Sequence, residues 1–200
     1  MTTVTKSLFA SAASLLMVGA MGMAQTNAPA SPDTKSTANG GVLTSDRQFM
    51  DKAAQGGMAE VELGQLAQQN GQSQEVKDFG KRMVNDHSKA NDQLKQLASQ
   101  KGVALPTGLD AKDQATKDRL SKLQGAAFDK AYMKDMVMDH KKDVAEFKKE
   151  SMSAHDPDLK TWAGQTLPTL QSHLQEAEKI APSTTGKAMS KNSGMNANAQ

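Results

Sequence analysis

The chain has no cysteine, which excludes a disulfide scaffold, a zinc–thiolate domain and a cysteine-nucleophile enzyme. Aromatic residues are scarce at 4%, and with 37% apolar and 23% charged side chains the 200 residues suffice for one modest core. No stretch beyond the N-terminus is apolar enough to cross a membrane as a helix, in keeping with a mean hydropathy of -0.60. A basic stripe of the kind nucleic acid demands is also missing, because 24 Lys and Arg are interspersed with 22 Asp and Glu. No glycine-rich phosphate loop occurs, and no nucleophile–base pairing stands out. The composition is that of one small soluble domain whose charge names no partner.

What the sequence does contain begins with an export signal over residues 1–24. Lys6 gives the positive start, Leu8 to Val18 the apolar run, and Gly22-Met23-Ala24 a small-x-small cleavage site before Gln25. This predicts a periplasmic or secreted protein with no integral membrane span once processed. Residues 25–44 and 182–200, rich in Ala, Ser, Thr and Asn, read as a disordered linker and tail. The folded domain is expected over residues 45–181.

Within it, apolar residues recur with a period near 3.6 and no alternating β-branched run is found, so the fold class is all-α. Ser45 with Gln48 reads as a capping box opening the first long helix, with Phe49, Ala53, Gly56, Leu63 and Ala67 inward and Asn70-Gly71 as its stop. Ser73 caps the second, carrying Val76, Phe79, Met83, Ala90, Leu94 and Ala98 to about Lys101. A loop over 102–110 leads to a short extra helix capped by Asp110 and ended at Gly125. The Leu120/Leu123 stripe lies nearly opposite the later stripe of Tyr132, Met136, Val144 and Phe147, so the third long helix restarts near Ala126 and runs to about Met152. Asp156-Pro157 opens the fourth, with Leu159, Trp162, Thr166, Leu170, Leu174 and Ala177 inward. Four such helices predict a four-helix bundle.

One ionisable residue falls at the centre of each stripe: Glu60, His87, His140 and His173. Glu62 points outward, and His155 reads as an exposed loop residue with no role. In an antiparallel bundle the four central residues share one layer, and bundles build metal sites from inward carboxylates and imidazoles. That donor set suits zinc, iron or copper without choosing among them. The competing reading is a hydrogen-bonded polar layer that fixes helix register.

Met83-Val84-Asn85-Asp86-His87 recurs as Met136-Val137-Met138-Asp139-His140, with Phe79 matched by Tyr132, so the second and third long helices read as duplicated partners. Met83 and Met136 lie one turn before their histidines, where a thioether suits Cu(I) but more commonly fills a core. Asp86 and Asp139 are placed to orient a neighbouring helix's histidine. Pro168 removes a backbone donor inside the fourth helix. Met133, Met138, Met152 and Trp162 read as core or groove packing.

Three segments, Asp46-Arg47-Gln48-Phe49 through Glu60-Val61-Glu62-Leu63-Gly64, Arg82 to Lys89, and Leu167 to Leu174, resemble the domain-of-unknown-function 4142 family over about residues 45–181. The resemblance implies a ferritin-like four-helix fold in exported bacterial proteins, often labelled membrane or outer-membrane proteins, and no established activity. The di-iron branch of ferritin-like proteins carries Glu three residues before His. Val84, Val137 and Leu170 stand there instead, leaving a mononuclear site or none. Two functions follow: a metal-binding bundle on Glu60, His87, His140 and His173, or a non-catalytic envelope or stress protein with protein partners. A metal-dependent enzyme ranks behind both, with no catalytic residue assigned.

Overall fold

The computed structural model describes residues 41–184; the expected signal at 1–24 and most of the expected linker and tail lie outside the described residues. Among the described residues there are five helices and no strand: α1 (Thr44–Asn70), α2 (Gln74–Gln100), α3 (Ala111–Leu120), α4 (Gly125–Ser153) and α5 (Pro157–Thr184). The described residues are all-helical, as their periodicity predicts.

Punctuation residues do the work at most helix ends. Ser73 Oγ accepts the Val76 N–H at 3.2 Å, Asp110 Oδ1 accepts the Asp113 N–H at 2.8 Å, and Asp156 Oδ1 accepts the Leu159 N–H at 3.0 Å. Gly125 sits at φ +61°, where a side chain would be strained, and there the chain turns into α4. The break inferred from stripe phase is therefore present.

The start of α1 differs from expectation. Leu43 holds the cap position with no side-chain cap, so the Ser45–Gln48 capping box does not form. Asp46 takes its place for a physical reason: its buried carboxylate accepts the His155 N–H at 3.3 Å and the Asp156 N–H at 2.7 Å. At the other end, α5 continues through Pro182 to Thr184, so helix persists where the tail was expected to begin.

The long helices form two antiparallel hairpins, α1 with α2 and α4 with α5; α2 then lies on α5 and α1 on α4. The helices of the Met-x-x-x-His repeat, α2 and α4, are thus diagonal rather than paired. A second repeat matches the architecture better. Asp46-Arg47-Gln48-Phe49-Met50 is echoed by Asp129-Lys130-Ala131-Tyr132-Met133, and at the same spacing Ser73 answers to Asp156, Val76 to Leu159 and Phe79 to Trp162. The two hairpins are copies of one plan. Their locks are reciprocal, since Asp129 accepts the Gln72 and Ser73 N–H groups at 3.0 and 2.9 Å while Asp46 holds their counterparts His155 and Asp156.

Two apolar clusters fill the interior. Phe49, Phe147 and Trp162 anchor one, with ring centroids 5.1 to 6.1 Å apart. Phe79, Phe128 and Tyr132 anchor the other, Phe128 stacking on Tyr132 at 5.4 Å. On every long helix the polar residue of the central layer falls between the two clusters. The register of that layer on α1 and α2 is set where Gly64 meets Gly80: a Cβ at Gly64 would lie 2.6 Å from the Gly80 carbonyl oxygen. Helix α3 buries only Leu120 and rests across α1 and α4 through Lys117–Glu62 at 2.6 Å, Lys112–Asp139 at 3.5 Å and Arg119–Asp135. Of the methionines expected to pack, Met133 is buried, whereas Met138 and Met152 project into solvent because they lie off the inward stripe of α4.

Candidate functional site

Periodicity alone carries His87 on α2, His140 on α4 and His173 on α5 to the interior, and packing brings them together. Their ring centroids form a near-equilateral triangle of 5.3 to 5.7 Å sides, and one ring nitrogen from each lies within 4.8 Å of the others. All three are buried.

Two contacts set the tautomers. The His140 Nδ1–H donates to the Met136 carbonyl at 2.9 Å, which leaves Nε2 as a lone pair. The His173 Nε2–H donates to Asp86 Oδ2 at 2.7 Å, which leaves Nδ1. Asp86 is itself steadied by Arg82 Nε at 3.3 Å, and the Arg82 guanidinium reaches on to Ser172 Oγ at 3.0 Å and to Glu176. Asp86 therefore orients a neighbouring helix's histidine, as anticipated; Asp139 does not, since it faces Lys112 on α3. The nitrogens left over, His87 Nε2, His140 Nε2 and His173 Nδ1, are buried with no hydrogen-bond partner in the protein.

Burial keeps these rings neutral. It lowers His140 to about 4, with His173 adding to the effect, and holds His87 well below the usual imidazole range, with His140 and His173 contributing. His173 is lowered by burial too, against the opposing pull of Asp86. His140 Nε2 and His173 Nδ1 are thus lone pairs, no contact fixes the His87 tautomer, and neutral imidazoles grouped this closely are donors that a borderline-soft metal ion accepts.

Glu60 stands beside this trio rather than within it. Its Oε1 is 4.0 Å from His140 Nδ1, Oε2 has no partner, and burial followed by Asp143 raises its carboxyl well above the usual range. Tyr132 is likewise buried with an unpartnered hydroxyl, raised by burial and by Glu60. Met83 and Met136 pack in the Phe79 cluster. Glu62 lies on the surface against Lys117. His155 is exposed yet not idle, its Nδ1 lying 3.4 Å from Asp46. Sequence reasoning missed Asp46, Asp129, Arg82 and Asp143; the Asp-x-x-aromatic-Met repeat was the available signal for the first two.

The helical arrangement resembles solved structures of low sequence similarity. A DUF305 fragment from Deinococcus radiodurans superposes with a TM-score of 0.63 at 14% identity, covering 72% of this chain and 99% of its own. A candidate spore coat protein from Bacillus halodurans C-125 gives 0.55 at 12% identity, covering 79% and 97%. No curated protein matches the chain. The model of the domain of unknown function DUF4142 matches residues 31–180, and on that match the chain belongs to the DUF4142 family.

Proposed function

We propose that this chain is an exported, ferritin-like four-helix bundle that holds one transition-metal ion, zinc, iron or copper, at its centre. His87, His140 and His173 supply the donors, and Glu60 lies beside His140. The carrying observation is the set of three buried, partnerless ring nitrogens in one layer. A purely structural layer would satisfy those atoms internally, because each unmet buried polar group costs about 1–3 kcal/mol. Asp86, tied to His173 and held by Arg82, is the kind of outer partner that fixes a metal-binding imidazole. With no nucleophile beside it, the centre reads as a binding or buffering site.

The test is linkage. Tag-free protein melted with and without Zn(II), Cu(II) or Fe(II) should gain stability, about 2.7 kcal/mol for free metal at 100 times its dissociation constant. His140→Ala should remove the metal-dependent gain. No shift in wild type with any of these ions overturns the reading. Export is tested by mass spectrometry of the secreted protein, which should begin at or near Gln25.

A further inference from the structure

Beside the imidazoles lies a cavity of about 170 Å³ between α1 and α4, with α3 at its mouth. That is well above the roughly 15 Å³ that admits one water. The hairpin repeat explains why it exists. At the spacing that matches Asp46 to Asp129, Gly57 takes the place of His140 and Ala90 the place of His173. Both small residues line the cavity. Where one hairpin places two imidazoles the other has only a glycine and an alanine; the Asn91 amide closes over Gly57, while Gly56 faces open space. The same correspondence pairs Glu60 with Asp143, and both carboxylates line the space.

We propose that this cavity is a second cation site, which takes a hydrated hard divalent ion on Glu60 and Asp143. Glu60 is 4% exposed and lines the cavity with an Oε2 that has no hydrogen-bond partner. Asp143 forms no ion pair among the described residues: of the lysines lining the cavity, Lys112 faces Asp139 at 3.5 Å, Lys142 faces Glu146 at 3.9 Å, and Lys52 pairs with neither Glu60 nor Asp143. Neither carboxyl is paired with a lysine or arginine among the described residues. A divalent ion supplies the missing positive charge. Among the described residues only the imidazoles bring three donor atoms within 4.8 Å of one another. An ion in the cavity therefore keeps most of its water, as small hard cations do on one or two carboxylates. Oxygen ligands and water select Mg, Ca or Mn, whereas the imidazoles select the softer metals, so the two sites differ in class. The cavity site stands on its own carboxylates and does not require the imidazoles to be occupied.

Mn(II) is the probe, followed by the electron paramagnetic resonance signal of the free ion in the full-length, tag-free protein. Wild type should bind one equivalent and should still do so after one equivalent of Zn(II) is added. Asp143→Asn should weaken Mn(II) binding by about tenfold or more, as ligand charge governs affinity at oxygen sites. Ala90→Leu, which fills the space and leaves both carboxylates in place, should also abolish it, with folding checked by circular dichroism. Absence of Mn(II) binding by wild type, full-strength binding by folded Asp143→Asn, or stoichiometric displacement by Zn(II) would each overturn the proposal. Zn(II) titration of Asp143→Asn, in which the imidazoles are untouched, tests the three-histidine reading separately.

Discussion

Asp86 has two neighbours of opposite kind, the His173 ring on one side and the Arg82 guanidinium on the other. A carboxylate so held orients the imidazole and raises its basicity, and removing such a partner ordinarily lowers metal affinity about 10- to 100-fold. Asp86→Asn should therefore weaken Zn(II) binding within that range in competition with a chromophoric chelator, while the metal-free melting temperature changes little. An unchanged affinity would show that Asp86 serves only the surface ion pair.

The buried titratable groups give the metal-free protein a characteristic pH response. His140 binds its proton at about 4 when folded and near 6.5 when unfolded, so between these values the unfolded chain holds more protons. Its contribution is complete above about pH 6.5 and is lost as pH falls through 4, on the order of 3 kcal/mol. Asp143 works in the opposite sense. Raised to about 7, it favours the fold below the ordinary aspartate range, and that contribution is lost as pH rises through 7. Asp143→Asn should consequently stabilise the protein by about 1–3 kcal/mol at pH 8, allowing for partial exposure, and by nothing near pH 4. Denaturation at the two pH values, without metal, checks the sign. Equal effects at both would mean that Asp143 is not held protonated by its surroundings.

Among the elements, the crossing of α1 over α2 tolerates the least change. A Cβ at Gly80 would lie 2.6 Å from the Ala67 Cβ and 2.8 Å from the Gly64 carbonyl oxygen, so the two helices would have to move apart. Gly80→Ala should destabilise by about 1–3 kcal/mol by chemical denaturation, and more if the shift propagates. A neutral or stabilising result would show that the crossing opens freely. At the α4 end, Asp129→Ala strips the Gln72 and Ser73 N–H groups of their acceptor and should cost a similar amount.

The elements themselves were largely legible because their ends are written in local chemistry. Ser73, Asp110, Gly125 and Asp156-Pro157 each act on the backbone within three residues. The start of α1 was not, since Asp46 acts on a loop far away in sequence while Ser45 and Gln48 beside it have the spacing of a capping box. The histidines were legible for the same local reason, as a 3.6-residue period fixes which face a side chain takes. Which neighbours they meet was not. That depends on how four separate helices pack, which leaves Glu60 beside His140 with Oε1 4.0 Å from Nδ1. The cavity was invisible because Gly56 and Ala90 look like ordinary small fillers until the packed helices place both in one wall.

For the molecule as a whole, both apolar clusters draw on α1, α2, α4 and α5, so neither hairpin owns a core. Unfolding of residues 41–184 should be a single cooperative transition, with circular dichroism and Trp162 fluorescence tracing the same denaturant curve. Non-coincident curves would mean that the two ends of the helices melt separately.

The reciprocal carboxylate locks carry this cooperativity out to the turns. Amides in short connections between helices ordinarily exchange with deuterium early, through local fraying that leaves the core intact. Here the Ser73 and Asp156 N–H groups end on buried carboxylates that belong to the opposite hairpin. Neither can be released without parting one half of the molecule from the other. The turns at its two ends should accordingly hold their protons as long as the amides in mid-helix do, and lose them only when the whole structure opens.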